Sequence, residues 1–110
     1  MVDLFKALSE ESRLRILSLL LENEMCVCEI ETALKMTQSN ASRHLTTLKN
    51  CGIVVGFKEA QWTHYRISDQ FKLENKELWK YLQQKLIELP SYKTDKEEYL
   101  KCKNENLCNT

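Results

Sequence analysis

Thr37-Gln-Ser-Asn-Ala-Ser-Arg-His-Leu-Thr-Thr-Leu-Lys-Asn50, followed by Cys51-Gly52, is the stretch that decides the fold. Ala41, Leu45 and Leu48 recur at helical spacing, so a helix from Gln38 to about Asn50 turns one face inward. Its other face carries Gln38, Ser39, Ser42, Arg43 and Thr46. Thr37 can accept a bond from a free amide of the first turn, and Gly52 supplies a left-handed stop just past the end.

Upstream, Met25 to Leu34 reads as a brief extended lead-in to a short helix packed through Ile30 and Leu34, with a tight turn at Lys35-Met-Thr37. Before it, Leu14, Leu17, Leu20 and Leu21, with Ile16 beside them, form the stripe of a helix capped at Ser9 and ending near Asn23. Leu4, Phe5 and Leu8 make one face of a short first helix. Downstream, two β-rich runs, Ile53 to Lys58 and Trp62 to Ser68, are joined by Glu59-Ala-Gln. The second alternates Trp62, His64 and Arg66 with Thr63, Tyr65 and Ile67, a period of two that predicts a hairpin strand. Phe71 to Leu89, with Leu78, Leu82, Leu86 and Leu89, reads as one long amphipathic helix ended by Pro90. A capping box at Thr94 and Glu97 predicts a last helical stretch carrying Tyr99, Leu100 and Cys102, and Asn104 to Thr110 are expected to be loosely ordered.

Two short helices joined by a tight turn and followed at once by a hairpin define the expected fold. It is mostly α with a small β-hairpin wing: a winged helix-turn-helix, dimeric, with residues 1–90 as DNA-binding and dimerisation domain and 91–110 as a C-terminal Cys-containing tail. The dimer is expected through Leu4, Phe5, Leu8, Leu78, Leu82 and Leu86, more apolar surface than one small core can use.

Composition agrees. Only two glycines and one proline in 110 residues argue against a sandwich or barrel. The apolar run Ile16 to Leu21 falls far short of the roughly 18 residues of a membrane span. The acidic start MVDLFKALSEE does not read as a signal peptide, so a cytoplasmic protein with no membrane partner is expected, its five cysteines mostly reduced. Net charge is zero, but it divides unevenly: residues 1–34 carry three cations against seven acids, and residues 35–66 five against Glu59 alone. A basic centre between acidic and neutral flanks suits local contact with phosphate.

A helix entering the major groove needs short polar side chains near its start and a longer donor behind them, which Gln38, Ser39, Ser42 and Arg43 supply. His44 is read as a packing or phosphate-contacting residue, and Lys58 and Gln61 near the hairpin tip as contacts to an adjacent phosphate or the minor groove. Trp62 and Tyr65 brace the hairpin. The bland alternative for the polar helix face is ordinary solvated surface.

Ala7-Leu-Ser-Glu-Glu-Ser-Arg-Leu-Arg-Ile-Leu17, Cys26-Val-Cys-Glu-Ile30, Gln38-Ser-Asn-Ala-Ser-Arg-His-Leu45 and Trp62-Thr-His-Tyr-Arg66 together resemble the ArsR/SmtB family of metal-sensing repressors, its arsenic-responsive branch in particular. The resemblance covers roughly residues 3–89. It implies a homodimer that represses a metalloid-resistance operon on double-stranded operator DNA until an inducer binds, with no organic cofactor. The Cys-Val-Cys word points to As(III) or Sb(III). Where the best-known arsenic repressors carry a third cysteine, this chain has Glu31.

Trivalent arsenic is a soft acceptor that takes three sulfurs. Cys26 and Cys28 lie on different faces of a regular helix, so both can hold one ion only if the helix start is distorted, which would reach the recognition helix behind it. The helix N-terminus is expected to favour thiolate there. Cys102 and Cys108, in a tail expected to be mobile, are the candidates to complete the metal site, with Cys102 preferred, while Cys51 reads as a packing thiol. The plain alternative for Cys26 and Cys28 is small buried packing residues. A zinc sensor of this family would need His in the long helix, and Phe71 to Leu89 has none. Two other readings remain: a redox-switched repressor of the same fold, pairing Cys102 with Cys108, and a small thiol oxidoreductase. The chain has no Cys-x-x-Cys and no glycine-rich phosphate loop, so an enzyme is not expected.

Overall fold

The computed structural model describes residues 1–105. Helices α1 (Val2–Leu8) and α2 (Glu11–Leu20) lead to a two-residue strand β1 (Met25–Cys26), then α3 (Val27–Leu34) and α4 (Gln38–Asn50). A hairpin of β2 (Val54–Glu59) and β3 (Trp62–Ile67) follows, then α5 (Asp69–Glu74), α6 (Lys76–Leu86) and α7 (Tyr92–Glu105). The sheet is antiparallel in the order β1-β3-β2, with Met25 opposite Tyr65 and Cys26 opposite His64. The arrangement is a winged helix-turn-helix.

One core gathers Ile16, Leu17 and Leu20 of α2, Ile30 and Leu34 of α3, Leu45 and Leu48 of α4, and Ile53, Val54, Ile67 and Phe71 from the wing side. Two glycines matter here. Gly52 at φ +76° closes α4, with its N–H bonded to Lys49 O and the Ile53 N–H bonded to Leu48 O, which satisfies carbonyls the helix would otherwise leave open. Gly56 lies opposite Tyr65, and a Cβ there would come within 3.1 Å of the tyrosine ring, so the ring rests on bare backbone.

Several boundaries differ from the sequence reading. Ser9 closes α1, its hydroxyl donating to Lys6 O, while Glu10 caps α2 by accepting from Ser12 N at 3.1 Å. A carboxylate can cap as a hydroxyl does and adds charge at the positive end. The long helix expected from Phe71 to Leu89 is two helices broken at Asn75, where φ −133° and ψ 52° leave the helical region while the backbone N–H at 3.0 Å and the side-chain amide at 3.2 Å both donate to Phe71 O. Thr94 lies inside α7 rather than at its start, which falls at Tyr92, with Asp95 N bonded back to Ser91 O. Asn104 and Glu105 belong to α7, and the expectation for the residues beyond them lies outside the described part.

Candidate DNA-reading face and thiol cluster

Thr37 caps α4 by accepting from Asn40 N at 3.2 Å, and this sets the first turn of the helix outward. Gln38, Ser39, Ser42 and Arg43 are all exposed on one side of α4, and Lys58 and Gln61 are exposed at the hairpin tip. Ala60 makes that tip with φ +58°. Arg43 is unburdened: its guanidinium meets Asn40 Oδ1 at 3.5 Å, a distance at which little energy is committed.

Of the two roles read for His44, packing and phosphate contact, the structure has the packed one. His44 is 5 % exposed, turned into the body between α2 and α4. Its Nδ1 lies 3.2 Å from Arg13 Nη1 and 3.3 Å from Glu10 Oε2, while Arg13 Nε donates to Ala7 O at 2.7 Å. Burial pushes the His44 pKa down, against the pull of Glu10 and with help from Arg43 and Arg13. The ring is therefore neutral and accepts from Arg13, and Glu10 Oε2 is left buried without a donor. Polar neighbours on α2, invisible to a local pattern, make an inward histidine affordable at a position next to the DNA face.

The sulfurs are gathered at the start of α3. Cys26 and Cys102 are 4 % and 2 % exposed and pack together, with half-buried Cys28 against them. Cys26 is the N-cap of α3: its N–H donates to Glu29 Oε1 at 2.9 Å and its sulfur faces the Glu29 N–H. Cys102 arrives from α7, so its expected place in a mobile tail is corrected: it is a buried residue of a packed helix. Cys108 lies outside the described residues. Cys26, Cys51 and Cys102 are thiols, whereas Cys28 is disulfide-bonded. Among the described residues no three His, Cys, Asp or Glu side chains are grouped so as to hold a metal ion. The composition of the cluster fits a soft acceptor once Cys28 is reduced. The thiol pKa of Cys26 is raised, chiefly by burial, and this overrides the amide contacts from Glu29 and Cys28 that were expected to lower it.

α7 is held in place by charge. Arg15 of α2 grips Asp95 with two bonds, Nε to Oδ2 at 2.9 Å and Nη2 to Oδ1 at 2.8 Å, and Asp95 is 2 % exposed. The carboxylate raises the pKa of Arg15. Neither residue carries a sequence signal of its role, because the partners are 80 positions apart.

The apolar surface also differs from expectation. Leu82 and Leu86 are 7 % and 2 % exposed and are spent in the protomer's own core, and Leu4, Leu8 and Leu78 are half-buried against it. Of the six residues expected at a dimer interface only Phe5 is fully outward, and the other large apolar residues exposed in the described part are Met1, Val2 of α1, Leu73 of α5, Tyr81 of α6, Ile87 and Leu100 of α7.

Residues 10–55 match the bacterial regulatory protein, arsR family. The arsenical resistance operon repressor of Escherichia coli K12 is 46 % identical over 68 residues, which are 61 % of this chain and 58 % of that protein. The chain thus spans little more than half the length of that relative. The solved structure of HlyU from Vibrio cholerae N16961 superposes with a TM-score of 0.61 at 40 % identity, covering 73 % of this chain and 88 % of that one. A homodimeric winged helix-turn-helix DNA-binding domain from Mycobacterium bovis, a possible ArsR-family regulator, gives 0.65 at 32 % identity, covering 79 % and 81 %. The chain belongs to the ArsR family, a family of DNA-binding transcriptional regulators and not of enzymes. Among the described residues no helix is long and apolar enough to cross a membrane.

Proposed function

We propose that the protein is a transcriptional repressor that binds operator DNA as a homodimer and releases it when As(III), or Sb(III), is captured by Cys26, Cys28 and Cys102. The observation that carries this reading is the packing of three cysteines from two helices at the N-cap of α3, the helix that leads directly into α4. The E. coli relative is named an arsenical resistance operon repressor, which supports the arsenic side, whereas HlyU is named a transcriptional activator, so the shared helices do not by themselves choose the ligand or the sign of regulation. Gln38, Ser39, Ser42 and Arg43 would read the groove, with Lys58 and Gln61 on flanking phosphate or in the minor groove.

Bound As(III) supplies strong, directional bonds to sulfur. Cys26 uses its sulfur and its N–H to cap α3, so committing that sulfur elsewhere removes half of the capping box and loosens the helix on which α4 leans. Release requires tighter binding of As(III) to free than to DNA-bound protein, about 1.4 kcal/mol for each tenfold loss of operator affinity. The test is a mobility-shift titration with reduced protein. Cys26→Ser and Cys28→Ser should bind operator as the parent does and resist release by As(III), with Cd(II) run alongside. Release of the double serine variant at the parent's As(III) concentration would sink the reading.

The disulfide at Cys28 favours a second reading, in which oxidation at Cys28, and not the expected pairing of Cys102, which is a thiol, releases DNA. Release by a disulfide-forming oxidant with no metalloid present, reversed by a phosphine reductant, would select it.

A further inference from the structure

We propose that the Arg15–Asp95 ion pair is a latch that seats α7 and so holds Cys102 against Cys26, which makes Asp95 a positioning residue for the thiol cluster. The inference deepens the arsenic reading and rests on it for its consequence, though the latch itself can be tested without metalloid.

α7 is a polar helix whose sequence from Tyr92 to Asn104 alternates lysines, acids and small polar residues. Only three of its described side chains are fully buried: Asp95, Tyr99 and Cys102, at spacings of four and three that put them on one helix face. Tyr99 joins the main core, Cys102 joins Cys26, and Asp95 meets Arg15. One aromatic ring and one sulfur are a small apolar anchor for a helix of this length. α7 also lies along α3 and against α2, and the pair at its first turn is the geometrically strict contact among these: two parallel bonds from one guanidinium to one carboxylate. The second ion pair between α7 and α2's end, Lys96 to Glu22 at 3.3 Å, is exposed and adds little.

Burial makes the latch conditional. Asp95 at 2 % exposure cannot stay in place as an unpaired charge, so α7 either sits with the pair made or lifts and lets the carboxylate reach water. Cys102 lies seven residues along the same face, two turns from the pair, and moves with it. A third sulfur presented by a seated helix acts at a high effective concentration, and one on a lifted helix does not. Seating α7 therefore sets metalloid affinity, and by reciprocity capture of the metalloid should seat α7.

The experiment uses the full chain kept reduced with a phosphine. Alkylation of Cys102 by iodoacetamide is followed by peptide mass spectrometry, with Cys51 at the end of α4 as reference in the same molecule. In Asp95→Asn the Cys102 rate should rise about tenfold or more, while Cys51 and operator affinity stay near the parent's. Affinity for As(III) should fall about tenfold, and Asp95→Asn should cause no further loss in a Cys102→Ser background. Asp95→Glu, which keeps the charge, should restore much of the protection. Arg15→Lys keeps the charge but not the fork, and should give an intermediate rate if Asp95→Asn fails to fold. An unchanged Cys102 rate, or a Cys51 rate that rises in step with it in both variants, overturns the latch. If the alkylation results hold but Cys102→Ser leaves As(III) affinity intact, the latch stands and the arsenic reading loses its third sulfur.

Discussion

α4 and α7 are both polar helices laid on the outside of one core, and they are held there by opposite means. α4 buries Ala41, Leu45 and Leu48 with neutral His44 among them, and both its ends are closed, by Thr37 and by the Gly52 turn. α7 buries a carboxylate, a phenol and a thiol. Apolar contact is non-directional and survives small shifts, whereas a bidentate ion pair is made or not made. The helix with the exposed reading face is thus fixed mainly by apolar contact, and the helix that delivers the sulfur is fixed by a contact that can open.

The largest effect that separates the two is on DNA. Arg43→Ala removes an exposed guanidinium from the outer face of α4 and touches no core residue, so it should weaken specific operator binding by about 1–3 kcal/mol if Arg43 makes a base contact. Thermal stability and Cys102 protection should not change. Asp95→Asn should do the reverse. A single variant that disturbs both DNA affinity and Cys102 protection equally would mean that the two helices form one mechanical unit, and the contrast between them would fail.

A smaller effect concerns how α4 is seated. Folding holds His44 neutral by burial, so its folded pKa lies below its ordinary value of about 6.5. The unfolded chain takes up the proton first as pH falls. Stability from this group is therefore fully present above about pH 6.5 and is lost as pH drops from there toward the folded-state pKa. Glu10 Oε2, buried 3.3 Å from Nδ1, moderates the loss by pairing with the protonated ring, while Arg13 and Arg43 oppose it. Urea unfolding followed across this window should give a slope that His44→Gln flattens. An equal slope in both proteins would assign the pH dependence to other groups and remove the neutral-histidine account of α4.

What the chain reveals about itself follows the same division. The helix-turn-helix and wing were legible because their signals are local: Thr37 and Gly52 mark the ends of α4, and the alternation from Trp62 to Ile67 marks a strand. The Cys26 and Cys28 pair was visible in the sequence as a word, whereas the packing of Cys102 against Cys26 depends on how α7 is seated. The break at Asn75 was missed because the leucine stripe from Leu78 to Leu89 lies wholly beyond it, and no spacing of apolar residues marks the non-helical backbone at Asn75. The latch was missed because Arg15 and Asp95 each look like solvated charges until the fold brings them together. His44 was left between packing and phosphate contact for the same reason, since its partners Glu10 and Arg13 lie more than thirty positions earlier in the chain.

The smallest effect lies at the turn that feeds α4. Lys35 closes α3 in the left-handed region at φ +56° and is exposed, and Ala60 does the same at the wing tip at φ +58°. For a residue with a Cβ that region costs about 1–2 kcal/mol, and glycine recovers most of it while losing some entropy, so Lys35→Gly and Ala60→Gly should each stabilise the fold by about 0.5–1 kcal/mol. The two substitutions differ in charge. Lys35 lies three residues before Gln38, at the foot of the reading face, whereas Ala60 carries no charge. If the Lys35 ammonium meets a phosphate, Lys35→Gly should lower operator affinity and cut the salt slope of binding by about one, although the protein itself is more stable. Ala60→Gly should stabilise without changing the slope. Equal slopes in the two variants would place Lys35 outside the interface. A loss of stability in Lys35→Gly would mean that the lysine stem contributes packing, and that α4 depends on more than its own apolar face and caps.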